Sequence, residues 1–372
     1  MEAAVQQMPL QVSCVTDRPG FMALSVEWDV LADSLGDSPF IRHAFFRVWI
    51  DNFAPQAPLK IFTVRHVGGE LLGVLPLIEE TVSFYGIPVT QWSAAANAHS
   101  CRFDVLTTDA HAVAPALWAC VREVGGWDVL RMTDVPAGGA GWSLYRSAEG
   151  SGNPVGTWES LQSPFVPLAA KWELQQSALS SKFKSNLRRR RKKLEEKGQV
   201  TVECVVGGEL LDAKLEEGFE LEGSGWKGER GTAMAQDLKT RGFYTELARL
   251  CAAEGVLALY FLRLDGRAVA FQYGIRRGHN FYLLKPGYDE ALKECSPGQL
   301  LVESVLEDCI AKGVTEFDFL GPDMTWKRDW TDQVRVHTWL YVFAKTRLGR
   351  ALRATKFVWV PRAKETLARW KR

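Results

Sequence analysis

Between residues 278 and 320 the apolar and polar positions change period twice, and each change marks an element. Phe281, Tyr282, Leu283 and Leu284 form a continuous β-prone run, which Pro286-Gly287 is expected to end as a turn. Behind it Leu301, Val302, Val305, Leu306, Cys309 and Ile310 recur at helical spacing, with Glu303, Glu307 and Asp308 on the other side. Ser296 and Gln299 have the spacing of a capping box, Pro297 stands at the first helical position, and Gly313 is placed to end the helix in a left-handed cap. From 314 to 320 the period falls to two, with Phe317 and Phe319 on one face and Glu316 and Asp318 on the other. The order is strand, helix, strand. A glycine in the first turn of such a helix can cradle a phosphate on free backbone N–H groups. Here Ser296 would occupy the amide of Gln299 and Pro297 has none, so Gly298 and Leu300 are the donors left; the alternative is an ordinary crossover.

The same patterns organise the rest. Residues 20–53 read as helical, with Trp28, Phe40, Phe45, Phe46 and Trp49 as core. Residues 59–67 and 71–78 read as a hairpin around Gly68-Gly69, with Pro76 marking the end or edge of the second strand. Strands follow at 82–92 and 103–106, then a helix at 111–124 and a strand at 127–132. Residues 136–167, rich in Gly, Ser and Pro and without period, read as the link between two halves. Then come a helix at 180–197, a strand at 200–206, helices at 210–221 and 241–253, and a hairpin of 256–264 with 268–276 across Asp265-Gly266.

Composition changes this picture in two places. At 372 residues and 47% hydrophobic content the chain can bury two medium cores. The formal charge of +1 conceals segregation, because residues 182–193 hold eight Lys/Arg and no acid, and residues 345–372 hold ten against one Glu. That is more than solubility needs, and phosphates of a bulky anionic substrate, tRNA or an anionic membrane surface are the candidate partners. The last segment mixes Leu348, Leu352, Phe357, Trp359 and Trp370 with its bases, as interfacial segments do, although Pro361 is expected to break a single long helix. Seven cysteines are scattered singly without a histidine partner, which points to reduced thiols and to no metal site. No secretory leader or apolar run of 18 is written, so a cytoplasmic protein, peripheral at most at the inner membrane surface, is expected.

Several short stretches then combine. Ser185-Asn186-Leu187-Arg188-Arg189, Gly225-Trp226-Lys227-Gly228, Leu264-Asp265-Gly266 and Gly287-Tyr288-Asp289 occur in order, followed by Ser296 to Leu301, Phe317 to Gly321 and Lys327-Arg328-Asp329-Trp330. In this the second half resembles the GNAT-like acyltransferase domain of CelD-like and FemAB-like bacterial proteins, which duplicate the N-acetyltransferase fold in tandem. Gly73 to Leu77, Phe103 to Leu106 and Trp127 to Leu130 look like the corresponding stretches of a degenerate first copy.

The resemblance implies an α/β (α+β) fold of tandem GNAT-like domains, each a mixed twisted sheet flanked by helices. It suggests an N-terminal copy over 20–150, a linker over 151–179, an acyltransferase copy over 180–345 and a basic amphipathic tail over 346–372. It implies acyl transfer from an acyl-CoA cosubstrate to an amine, on a small molecule, sugar nucleotide or envelope precursor. The alternatives are a non-catalytic module of polysaccharide or envelope biosynthesis, or a Fem-type transferase using aminoacyl-tRNA. In such a domain the strand ending at Leu284 and Lys285 offers N–H groups to the thioester carbonyl, and Gly298, Gln299 and Leu300 face the pyrophosphate. Trp226 and Lys227 are substrate candidates from their glycine-rich loop, an aromatic among glycines being a common ligand contact; Tyr282 and Trp326 join them, and Lys327, after Gly321-Pro322, either holds an anionic substrate or stands on a solvated helix face. Trp326 stands where many members have a tyrosine that protonates the leaving thiolate, so the catalytic candidates are Asp318, as base or as a structural carboxylate, and Tyr288 and Asp289, as catalytic or turn residues.

Overall fold

The computed structural model describes residues 10–223 and 237–370; the glycine-rich loop with Trp226 and Lys227 lies outside them. In the first half, β1 (Leu10–Val15) leads through α1 (Arg18–Ala23), α2 (Ser25–Leu35) and α3 (His43–Phe53) into β2 (Leu59–His66), β3 (Leu71–Phe84) and β4 (Ile87–Ala94). The short β5 (Leu106–Thr107), α4 (Ala110–Val124), β6 (Val129–Pro136), α5 (Gly141–Gly150) and β7 (Val155–Pro167) follow. The second half runs through α6 (Trp172–Ala178), α7 (Ser181–Glu195), β8 (Val200–Val205), α8 (Leu211–Gly223) and α9 (Leu238–Ala253). Next come β9 (Leu257–Leu264), β10 (Arg267–Arg277), β11 (Asn280–Tyr288), α10 (Pro297–Ala311) and β12 (Glu316–Asp318). The chain ends through α11 (Thr325–Arg328), β13 (Val334–Phe343), α12 (Arg347–Ala354), a π-helical turn at Thr355–Trp359, and α13 (Val360–Trp370).

The described strands form one sheet in the order β1-β2-β3-β4-β6-β13-β7-β12-β11-β10-β9-β8, with β5 beside β3. It is a repeat. In each half four antiparallel strands are followed by a helix and a parallel strand, β4–α4–β6 in one and β11–α10–β12 in the other. The halves then exchange strands: β7 pairs with β12, β13 pairs with β6, and the two meet in the middle. Residues 136–167, expected as an aperiodic link, therefore hold a helix and the central strand of the sheet. Their burial does not alternate cleanly, so period-two reasoning has nothing to detect.

Three punctuation residues act differently from expectation. Pro76 sits inside β3, opposite Ile61, and the strand runs on to Phe84. Its nitrogen faces the place where β4 ends at Ala94, so the missing donor is not needed. Pro286 and Gly287 are likewise inside β11, opposite Gln272 and Phe271. The bond from Asp289 N to Val269 O (3.0 Å) fixes the phase, turning the Pro286 nitrogen to the open edge of the strand. Pro361 does not break the terminal helix, which passes through it directly after the π-helical turn.

The aromatic stripe of the first helices is core, with Trp28, Phe40, Phe45, Phe46 and Trp49 all buried. Those helices also meet the second half. Phe45 and Phe53 pack on Phe243 of α9 at 5.8 and 5.1 Å between ring centroids, and Glu246 accepts from Arg47 (2.6 Å) and Asn52 (3.0 Å). This packing brings loop residues 95–103 of the first half against β11 of the second.

Candidate active site

Strands β11 and β12 run parallel only from Asn280/Glu316 to Tyr282/Asp318, and then they part. Beyond Tyr282 the edge of β11 has no strand beside it among the described residues, and a cleft of about 630 Å³ fills the gap. Its walls are Leu283 to Tyr288 of β11, the first turn of α10, the loop from Phe319 to Asp329, and Ala98 and Cys101 from the first half. Along a strand, Leu283 and Tyr288 stand about 17 Å apart, so the cleft has two distinct ends.

At the outer end are Tyr288, Gly298, Lys293 and Arg190. The capping box expected from Ser296 and Gln299 does not form. Ser296 takes a left-handed conformation (φ 47°) and makes no side-chain cap. The Gln299 amide instead donates to Trp326 O (3.1 Å) and accepts from the Trp330 indole (2.6 Å), tying α10 to the loop across the cleft. Gln299 N and Leu300 N both donate to Ser296 O (3.0 and 3.2 Å), and Pro297 has no N–H, which leaves Gly298 as the open donor of that turn. Leu300 is buried away from the cleft. One amide is a thin cradle, and the positive charge comes from side chains. Among the described residues Arg190, Lys285, Lys293 and Lys327 line the cleft against one carboxylate, Asp329.

At the inner end the chain is strained. Leu320 and Gly321 follow one another in the left-handed region (φ 48° and 55°). Two groups hold them there. Asp318 accepts the Leu320 N–H (2.8 Å), while the Lys327 ammonium donates to Leu320 O (2.5 Å) and Pro322 O (2.8 Å). Lys327 is only 4% exposed yet lines the cleft, so it brings a buried positive charge to this end. Trp326 lines the same wall with its ring edge-on to Phe319 at 5.3 Å.

The sequence candidates thus fall into separate places. Asp318 is fully buried beneath the cleft and accepts from Arg102 and Arg335, both at 2.6 Å. With its oxygens occupied by two guanidinium groups and a backbone N–H, it has the contacts of a strut joining the halves. Tyr282 is buried beside it, its ring edge-on to Phe40 at 5.6 Å and under the Arg102 guanidinium at 6.0 Å. Asp289 caps the turn after β11 through Ala291 N (2.9 Å) and pairs with Arg267 (2.7 Å). Tyr288 stands at the outer end, and burial raises its phenol above the usual range. Leu284, Lys285, Gly298, Gln299, Trp326 and Lys327 do meet around one cleft.

Sequence reasoning missed the contribution of the first half. Burial pushes the Cys101 thiol up to about 11, so it is a neutral thiol at neutral pH. Next to it His99 stacks on Phe53 and shares its ring nitrogens with Tyr244 Oη and Thr240 Oγ1, both at 3.3 Å. Burial, with Lys285 adding to it, lowers His99 to about 4. His99 and Cys101 lie in a loop whose local sequence carries no periodicity.

The sequence model of the Acetyltransferase (GNAT) domain matches residues 181–328, the stretch that builds α7, the splayed strands, α10 and the loop across the cleft. Residues 181–328 thus carry the sequence pattern of a GNAT acetyltransferase domain. No curated protein sequence matches it. Among solved structures, FemX superposes with a TM-score of 0.62 at 12% identity, covering 92% of this chain and all of FemX. L-PGS from Bacillus licheniformis gives 0.52 at 11%, covering 92% and 97%. A tandem GNAT protein from the clavulanic acid biosynthesis pathway gives 0.50 at 13%, covering 91% and 100%. At such identities the likeness is one of fold, and the tandem GNAT arrangement is the fold expected. The cleft lies at the β11–β12 splay, within the stretch that matches the GNAT domain.

Proposed function

We propose that the cleft binds an acyl-CoA and transfers its acyl group to an amino group of a small molecule, sugar nucleotide or envelope precursor. The observation that carries this reading is the open edge of β11 in a cleft whose charged lining, among the described residues, is four cations to one carboxylate. A phosphate-bearing ligand suits that lining. Its phosphates would lie at the outer end on Arg190, Lys293 and the Gly298 N–H, and its thioester at the inner end, beside Leu283, Leu284 and Lys327.

There the amine nitrogen attacks the thioester carbon, the C–S bond breaks, and the proton the amine loses balances the one the thiolate gains. Negative charge builds on the carbonyl oxygen, and a fixed donor or cation beside it stabilises the transition state by roughly 3 kcal/mol. Backbone N–H groups on the open edge of β11 and the Lys327 ammonium are the groups in position. The neutral Cys101 thiol favours direct transfer over an acyl-cysteine intermediate. Asp318 serves in this reading by holding Leu320, Tyr288 stands beside the phosphates, and Asp289, paired with Arg267, keeps the turn after β11. The test is release of free CoA from acetyl- and long-chain acyl-CoA with a panel of amines. Amine-dependent release that falls on Gly298→Glu, with the melting curve intact, supports the reading; absence of release with every pair argues for a non-catalytic module.

A second reading has its own observation. Lys182, Arg188, Arg189 and Lys192 are exposed on α7, and Arg190 of the same helix lines the cleft. A basic track leading into the site suits an RNA-borne aminoacyl donor. The tail suggests where the protein works. No described helix is long and apolar enough to cross a membrane. Yet residues 362–367 of α13 are exposed on every side, Trp359 and Leu367 are 57% and 62% exposed, and Arg362 and Lys364 flank them. A helix with an uncovered apolar edge and basic flanks suits an anionic membrane surface.

A further inference from the structure

One polar side chain in the cleft lacks a partner among the described residues. Gln272, on β10, is 1% exposed and lines the cleft floor, and neither its amide nitrogen nor its amide oxygen has a hydrogen-bond partner. The surroundings explain why. The residues opposite it in the sheet are Tyr260 and Pro286. The Tyr260 hydroxyl is engaged by Asp308, and α10 covers this face with Leu301, Val302 and Val305. A buried amide with both ends unpaired weakens a fold, and a core position between apolar neighbours would be better filled by Leu or Met. Such a residue persists where a ligand completes it.

We propose that Gln272 is a specificity-determining residue that reads the two secondary amides of the bound donor, its oxygen accepting the N–H of one and its nitrogen donating to the carbonyl of the other. The inference rests on the acyl-CoA reading for the identity of the ligand. Between the phosphate end at Gly298 and the inner end at Leu320, the part of an acyl-CoA that crosses the floor is the pantetheine arm, which carries two such amides. A primary amide is the side chain that matches both a donor and an acceptor at once. The Gly298 N–H, open at the start of α10, lies on the same cleft and orients the ligand from the phosphate side.

The test compares the full chain with Gln272→Met, which keeps volume and removes the amide. Three probes are titrated: acetyl-CoA, pantetheine, and adenosine 3′,5′-bisphosphate, which has the phosphates and no amide. The variant is expected to bind the first two about tenfold more weakly, the loss of one good hydrogen-bonded group, and to bind the bisphosphate as the wild type does. Unliganded, it is expected to melt at a higher temperature. Equal loss for all three probes, or none for any, overturns the inference. If the wild type binds no probe, the acyl-CoA reading fails and Gln272 is judged by melting alone. A variant no more stable than wild type would then show that the amide already has a partner, and the inference falls with it.

Discussion

Replacing Asp318 by Asn separates the two roles a buried strand carboxylate can have. In the structure its oxygens accept from Arg102, Arg335 and the Leu320 N–H. Asn keeps one acceptor for the Leu320 N–H, but its NH₂ then faces guanidinium donors, and the charge that balances them is gone. Removing one partner of a buried ion pair costs about 3–5 kcal/mol. The lower end applies here, because Arg335 keeps Glu316 at 3.0 and 3.1 Å while Arg102 has Asp318 as its salt-bridge partner. With an unfolding entropy of about 2.1 cal/mol/K per residue, a chain of 372 residues shifts by roughly 1.3 °C per kcal/mol, so the melting temperature should fall by roughly 4 °C for a loss of about 3 kcal/mol. The assay is paired thermal denaturation and turnover, with Arg102→Met beside it. If Asp318 is a strut, the two variants share a large destabilisation, and turnover at low temperature falls only modestly. Wild-type melting with turnover abolished in Asp318→Asn alone would refute the reasoning and return this residue to the role of base.

Three further outcomes follow from the geometry. Burial lowers His43, His99 and His337, so each binds its proton less readily folded than unfolded; their stabilising effect is complete above about pH 6.5 and is lost as pH falls toward the His99 value of about 4. Melting temperature against pH should therefore drop over that window, and His99→Gln should flatten the drop; an unchanged profile would mean that His99 is protonated in the fold. Arg188→Gln with Arg189→Gln should abolish any salt-dependent RNA binding and leave CoA binding intact, and RNA binding that survives both would end the RNA-donor reading. Trp359→Ser with Leu367→Ser should release the protein from vesicles containing phosphatidylglycerol without changing its melting, whereas co-flotation unaltered by the pair would place any membrane contact elsewhere.

Local patterns are legible where one residue's neighbours in sequence are also its neighbours in space. The helix from Pro297, its stop at Gly313, the basic helix α7 and the hairpin at Asp265-Gly266 all stand as their periods predict. Proline misleads because its cost depends on which side of a strand its nitrogen faces. Pro76 and Pro286 face edges without a ladder partner, and one-dimensional sequence does not show edges. The exchange of β7 and β13 between halves is hidden for the same reason. For the site, the residues on β11, α10 and the following loop are legible, since a strand–helix–strand unit carries them together. In sequence Arg190 looks like one base in a solvated run, Gln272 like a strand residue, and Cys101 and His99 like loop residues of another half. Their convergence depends on tertiary packing of α3 against α9.

The central claim is that the cleft at the splay of β11 and β12 binds acyl-CoA, and calorimetric titration of the wild type and Gly298→Glu with acetyl-CoA tests it most directly. A β-carbon at position 298 meets only the Tyr288 side chain, at 3.6 Å, so the variant should fold while its carboxylate stands where the phosphates would lie. Micromolar binding by the wild type, lost in the variant at an unchanged melting temperature, is the predicted result. Binding that is equal in both proteins, or absent from the wild type, would contradict the account.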